Sequence, residues 1–289
     1  MRLLAEFIMR GRLEAIVVAL IGSWFPVVPQ ATIALVTLRK GWQEGLIIAV
    51  ATTLPAFFGV YSGNVDAILF LATIGVFVVC YGISLVLRWC VIWPAALAAT
   101  VALACLIAIL IRADVFNLAP DFSGSFMDLA ANLALENDAT DSVSVVSQQD
   151  ISAVKATGIL ACLIGVSAIF GLLVGRWWQA ILYNPGGFQT EFHALRLNTP
   201  IALSSALALV YCLMRGDEYV YWTGLFGMPL FFAGLGLAHY AIAKSNMGPS
   251  SVVVMYVAII LFLPLSIILM LAGLTDTWLD YRQKIQFKQ

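Results

Sequence analysis

The run LEAIVVALIGSWFPVVPQATIALVTL, residues 13–38, decides how this chain is read. It is apolar and longer than the roughly 20 residues that carry a helix across a hydrocarbon core about 30 Å thick. It is also interrupted, because Pro26 and Pro29 lie near its middle. Proline lacks a backbone N–H and breaks a helix interior. The run therefore reads as two short segments, Leu13–Phe25 and Gln30–Leu38, that meet at a bend. Each is short for a full crossing, and irregular backbone at membrane depth has to be covered by protein or line a cavity. The fold expected from this start is all-α: one integral membrane domain over residues 1–289, a polytopic transmembrane helix bundle of about eight to nine segments.

Composition supports a lipid solvent. Of 289 residues, 62% are hydrophobic and 11% charged, and the mean hydropathy is +0.97. A soluble domain is about 45–50% apolar and about 25% charged, and no soluble core could hide this excess. The net charge of −1 says little by itself, because orientation follows the distribution of Lys and Arg. The basic N-terminus, Met1–Arg12, leads into an apolar run without a convincing small-residue cleavage site and is expected to be retained.

Further spans are expected at 46–62, 65–87, 91–111, 151–181, 201–214, 220–243 and 252–274. Residues 112–150 form the one long hydrophilic stretch, with seven acidic residues and no basic residue after Arg112. Within it Met127–Leu135 has the pattern of a short amphipathic helix. Asn184-Pro185-Gly186-Gly187 is a turn. Phe188–Leu197 alternates apolar residues with Glu191, His193 and Arg196, as a helix lying in the membrane interface would. The tail after Thr275 is polar and mixed in charge.

Charge counting leaves the topology open. If the first run is split, Arg2, Arg10, Arg12, Arg39, Lys40, Arg88, Arg176, Arg196 and Lys244 share one side, nine of the 15 basic residues. If it is one span, every later loop flips and the ratio is again nine to six. The prolines favour the split arrangement, which puts the acidic loop outside and leaves the tail there too.

No catalytic motif is present. There is no HExxH, GxSxG or phosphate-binding glycine loop, and the two histidines, His193 and His239, do not stand at metal-ligand spacing. The cysteines Cys80, Cys90, Cys105, Cys162 and Cys212 all fall in apolar runs and read as small hydrophobes. No cofactor, metal or nucleic-acid partner is expected, and the chain is expected not to be an enzyme. Polar side chains within the bilayer are costly and draw attention as ligand contacts. Gln30 beside the proline bend is the first candidate, either as a ligand contact or as a partner for carbonyls freed by Pro29. Asn64 and Asp66 stand at a span end, where a helix cap is the alternative reading. Tyr61, Tyr221 and Trp222 read as a pocket mouth or as the interfacial aromatic belt. His239 reads as a ligand or proton contact, or as a histidine bonded to a neighbouring helix. The small-residue pairs Ala15/Ala19 and Gly171/Gly175 suit close helix packing, inside the bundle or against a partner. Phe188, Glu191 and Arg196 are the partner-facing candidates of the amphipathic loop.

Three stretches carry a resemblance. Thr37-Leu-Arg-Lys-Gly41 leads into Leu46-Ile-Ile-Ala-Val. Asn184-Pro-Gly-Gly-Phe188 is followed by Glu191-Phe192 and Leu195-Arg-Leu197. Gly273-Leu-Thr-Asp276 precedes Trp278-Leu-Asp-Tyr-Arg282. In their order they resemble the YybS-like family of bacterial membrane proteins, which is distantly similar to the substrate-binding S components of energy-coupling-factor transporters. The resemblance implies a bacterial inner-membrane protein that binds a small solute and depends on a coupling membrane subunit and an ATPase. It also implies that Ala15 and Ala19 lie where such a subunit docks. The competing expectation is a membrane scaffold or assembly factor that recruits a partner through loop 188–197 and the tail.

Overall fold

Prolines and glycines divide the chain, and the helices between them pack through small residues. In the computed structural model, which describes residues 1–25, 27–115, 122, 124–129, 152–245 and 247–284, every regular element among the described residues is helical. Helix α1 (Arg2–Arg10) and α2 (Arg12–Ile21) are joined by an extended Gly11. A 3-10 turn, Gly22–Trp24, leads to α3 (Val28–Lys40), followed by α4 (Trp42–Tyr61), α5 (Ala67–Cys90) and α6 (Trp93–Arg112). The second half holds α7 (Ala153–Tyr183), α8 (Gly187–His193), α9 (Thr199–Arg215), α10 (Val220–Lys244), α11 (Pro249–Leu261), α12 (Pro264–Leu279) and the single turn α13 (Tyr281–Lys284).

The 31-residue α7 is the axis of the bundle. At about 1.5 Å per residue it is roughly 46 Å long, and it packs on α3, α5, α6 and α10. Its glycines let the neighbours in. A Cβ at Gly171 would stand 2.2 Å from Cβ of Gln30, and one at Gly175 would stand 2.6 Å from Cβ of Ala34 and 2.8 Å from the Ala31 carbonyl oxygen. The glycine pair is thus an internal contact with α3. Helix α3 is buried without a break from Ala31 to Leu38, as expected of a helix without a polar face. The hydroxyls of Thr32 and Thr37 donate to the carbonyls of Val28 and Ile33, so neither is left unpaired. Ala15 and Ala19, 1% and 0% exposed, are buried in the same core region.

Two helix pairs enter and return at the same end of the bundle. Arg12 bonds Glu44 at the start of α4, so α2 begins at that end. Helix α3 then runs parallel to α7, with Gln30 beside Gly171, Ala34 beside Gly175 and Arg39 over the ring of Tyr183. The chain has reversed between Ile21 and Val28. The reversal needs an unusual residue: Val27 has φ +87°, a left-handed conformation that is strained for a β-branched side chain. The second pair is α11 and α12, bent by 114° at Phe262-Leu263. Helix α12 runs parallel to α10, with Met270 against Gly227 and the Arg282 carbonyl accepting from the Tyr240 hydroxyl. Pro264 explains the break, since it cannot donate to the preceding turn. Both tips satisfy their amides locally: Phe25 N–H donates to Gly22, Val28 to Phe25, Phe262 to Ala258 and Leu265 to Phe262. Trp24, Phe25, Phe262 and Leu263 stand exposed on them, an apolar surface suited to lipid.

This arrangement corrects two expectations. Residues 252–274 are not one span but parts of two helices meeting at a sharp bend. The two segments of the first run are half-length helices that return to their starting end rather than two crossings. Residues 188–197 press their apolar side onto the bundle: Phe192, Leu195 and Leu197 are buried, a Cβ at Gly236 would meet the carbonyl oxygen of Phe192 at 2.7 Å, and Gln189, Thr190 and Ala194 stay exposed. Among the described residues α4, α5, α6, α7 and Asp217–Lys244 are long and apolar enough to cross a membrane, six if the bent pair counts as one span. Helix α9 is apolar but shorter, at 17 residues. Most of the acidic loop 112–150, and most of the helix expected at Met127–Leu135, lie outside the described residues. Residues 124–129 are helical.

The charge ambiguity disappears once both pairs return. Arg112, Lys155 and Arg215 belong to the end where Trp222 Nε1 donates to the Val154 carbonyl. The other described basic residues sit at the opposite end, or on α1 next to it.

Two outcomes test this fold. In a cysteine-free background, cysteines replacing Arg2 and Lys284 label from one side of a sealed vesicle and a cysteine replacing Ser62 labels from the other. A tail labelled together with Ser62 would sink the returning α11–α12 pair. Gly234→Leu, whose Cβ would stand 1.9 Å from the Leu269 carbonyl oxygen, is expected to cost about 1–3 kcal/mol, read as a fall in Tm. Gly248→Ala, with its nearest contact at 3.7 Å, leaves Tm unchanged.

A candidate ligand crevice beside an arginine clasp

Asp276 lies at the end of α12 and is 1% exposed. A carboxylate buried this deeply has to be paired and hydrogen-bonded. Its Oδ2 accepts from the guanidinium of Arg282, and its Oδ1 accepts from the Tyr281 N–H at 2.9 Å. Helix α12 can turn back on itself there because Asp280 takes a left-handed conformation, φ +43°. Arg282 then reaches across to the segment after α8: Nε donates to the His193 carbonyl at 2.8 Å and a terminal nitrogen to the Leu195 carbonyl at 2.7 Å. Arg196 reaches the opposite way. It donates to the carbonyls of Asp276 and Thr277 at 3.0 and 2.9 Å and to the Asp280 carboxylate at 2.7 Å. The two arginines clasp the end of α12 to residues 193–196. A third ion pair, Arg176 with Glu191, fastens α8 to α7, and Trp93 Nε1 donates to the same glutamate at 3.3 Å.

The clasp positions α8 so that Phe188, Phe192 and His193 face a crevice bounded by α7, α10 and α11. Its cavity is about 690 Å³, within the range of about 300–1,000 Å³ that small-molecule sites occupy. Phe170 on α7 and Ile260 on α11, both exposed, stand at its rim near the middle of the bundle's length. The outer wall is α11, none of whose described side chains is buried. The crevice thus opens sideways from the bundle. The polar groups lining it are Gln189, His193, His239 and Tyr256. His239 Nε2 and the Tyr256 hydroxyl are 2.9 Å apart, and the ring of His239 lies 6.4 Å from that of His193 and 5.3 Å from that of Phe192. Burial, and then the positive charge of Arg282, holds the His193 imidazole below its ordinary pKa, so it is neutral at pH 7. A second cavity, about 630 Å³, lies on the other side of the clasp and is lined by Trp93, Glu191, Arg196, Asn198 and Thr277 among others.

The chain matches no protein-family model, no curated protein and no solved structure.

The structure does not bring the expected ligand residues together. Gln30 packs on Gly171, lines neither large cavity, and its Oε1 is buried without a hydrogen bond among the described residues. Tyr61 is exposed at the far end, and Asn64 donates to the Ser62 hydroxyl there. Asp66 precedes α5 as its cap residue without a side-chain cap bond. Trp222 packs on Gly158 at that end, its N–H taken by the Val154 carbonyl, and Tyr221 is exposed near it. His239 alone of the ligand candidates lines the crevice. Phe188 joins it, although the sequence pointed Phe188 towards a partner. Glu191 and Arg196 are engaged within the chain. Trp177, which with Arg176 and Trp178 reads as an interfacial anchor, also lines the crevice; Phe170, Phe231, Phe232 and Tyr256 carry no sequence signal, because an aromatic residue in an apolar run has none until its neighbours are known. Among the described residues no three His, Cys, Asp or Glu side chains meet as a metal site would require.

Removing one partner of a buried ion pair leaves an uncompensated charge, at a cost of about 3–5 kcal/mol. Arg282→Ala is expected to lower stability by about that much in detergent unfolding. The double substitution Arg282→Met with Asp276→Leu, which removes both charges, is expected to recover much of the loss.

Proposed function

We propose that this chain is a non-enzymatic, multi-pass transport component of the bacterial inner membrane that binds a small solute and relies on partner subunits for energy. The crevice between α7, α8, α10 and α11 carries the proposal: it has the volume of a single-molecule site, apolar walls and a few convergent polar groups. Its lateral opening refines the solute to an amphipathic molecule that arrives from the bilayer. This moves the binding site away from the proline bend, where Gln30 is packed against Gly171. Glu191, the one carboxylate lining either large cavity among the described residues, is held by Arg176 and Trp93 rather than left free as an acid or base.

The concentration of Lys and Arg at one end makes that end cytoplasmic by the positive-inside rule, with both ends of the described chain on that side. The resemblance to YybS-like proteins rests on three stretches, and all three lie at this end. Thr37 and Leu38 give their carbonyls to Arg88, Arg39 covers Tyr183, and the other two stretches are the halves of the arginine clasp. A coupling subunit and an ATPase remain the proposed partners. Ala15 and Ala19 are buried, so the docking surface lies elsewhere than on that pair. The scaffold reading made Arg196 a partner contact, and here its guanidinium is committed to Asp276, Thr277 and Asp280.

Native mass spectrometry of protein released from nanodiscs tests the site. A bound amphiphile is expected on the wild-type chain and absent from Leu235→Trp, which fills the crevice. Equal occupancy in both, at equal Tm, would place the ligand elsewhere.

A further inference from the structure

The polar end of the crevice specifies what kind of head group it takes; this rests on the crevice being a ligand site. No charged side chain among the described residues lines it. His193 is neutral, and of the cations beside it Arg282 is spent on Asp276 and two backbone carbonyls and Arg176 on Glu191 and Gln179. A phosphate or carboxylate head would therefore enter an apolar site without a counter-charge, which is expensive. The polar groups that are present, Gln189, His193, His239 and Tyr256, are uncharged and each has a donor to offer. The ring nitrogens of His193 make no hydrogen bond among the described residues, so its N–H is free. His239 and Tyr256 share one hydrogen bond, and either tautomer leaves one donor over. If the phenol donates to Nε2, the Nδ1–H of His239 is free; if Nε2–H donates, the phenolic O–H is free. Two donors thus flank the inner end of the crevice. The surrounding walls are flat aromatic faces, among them Phe192 at 5.3 Å from His239 and Phe188 stacked on Phe192 at 5.9 Å. Such faces favour a conjugated ring in stacked or edge-on contact. The rest of the crevice, towards Phe170 and Ile260, offers only apolar contact for a tail leading out to lipid.

We infer that the crevice binds a neutral carbonyl-bearing ring with a lipid tail, a molecule of the prenylated quinone class. The two ring carbonyls accept from His193 and from the His239–Tyr256 pair, and the tail lies between α7 and α11. Binding involves no transfer of electrons or protons.

The full-length protein in nanodiscs is titrated with three probes of equal tail length: a decyl-substituted benzoquinone, decyl phosphate and decanol. Quenching of tryptophan fluorescence by the quinone, and competition by the other two, reads the affinities. The quinone is expected to bind at least about tenfold more tightly than either competitor. His193→Phe, and the double substitution His239→Phe with Tyr256→Phe that removes every donor of the pair, keep aromatic rings in place and are each expected to weaken it about tenfold, the worth of one lost hydrogen bond, at unchanged Tm. Preference for decyl phosphate, equal affinity for all three probes, or no effect of both substitutions overturns the quinone assignment while leaving an amphiphile site in place. Binding of none of the three overturns the crevice as a ligand site altogether.

Discussion

The buried carboxylate of Asp276 constrains the second half of this protein more than any other group. In a low-dielectric interior it has to be neutralised, and Arg282 does so only because the chain turns back after Leu279. Once Arg282 is in place its remaining donors need acceptors, and the carbonyls of His193 and Leu195 supply them. Arg196 closes the arrangement from the other strand of the clasp. One charge thereby fixes the position of α8, and α8 brings Phe188, Phe192 and His193 to the crevice. The site exists because an electrostatic obligation at the basic end has been met with backbone carbonyls rather than with water.

The two returning helix pairs answer a different constraint. Inside a membrane there is little hydrophobic gain from pressing one apolar helix on another, so association depends on close contact and satisfied polar groups. Helix α3 is held by the glycines of α7, which let the two backbones approach until Gln30 and Ala34 fill the space of absent side chains. Helix α12 is held by α10 in the same way through Gly227, Gly234 and Gly273. The first member of each pair differs. Helix α2 buries Ala15, Val18 and Ala19, whereas α11 buries no described side chain. That difference leaves room between α11 and α7 for the crevice, while Gln30 after the proline bend is packed against Gly171.

The all-helical, multi-pass character and most helix positions were legible as apolar runs broken by polar turns, and the break at Pro26 and Pro29 was legible from the chemistry of proline. The return of the chain was not. A break signals that a helix stops, but the direction of the next helix is set by what it packs against. Pro264 sits inside the run 252–274 as plainly as Pro26 does in the first, yet the uninterrupted hydrophobicity around it read as one span. The balanced charge counts failed for the same reason, since they treated every segment as a crossing. Of the crevice, His239 stood out as a polar residue in an apolar run. Tyr256 and Phe170 did not, because their meaning comes from neighbours 17 and 62 residues away in the chain. Asp276 and Arg282 were legible as motif residues but not as a pair, because six positions along a continuous helix would not bring them together.

The two half-length pairs also shape the molecule as an object in a bilayer. Both enter from the basic end and turn back before the far end, so among the described residues the basic end contains cross-sections of α2, α3, α11 and α12 that the far end lacks. The described part of the protein is thus wider at its basic end than at the other. Its insertion energy then depends on the lateral pressure each leaflet exerts, and thus on the ratio of small-headed to large-headed lipids on each side. A body of this taper is at ease in a curved membrane and works against a flat one.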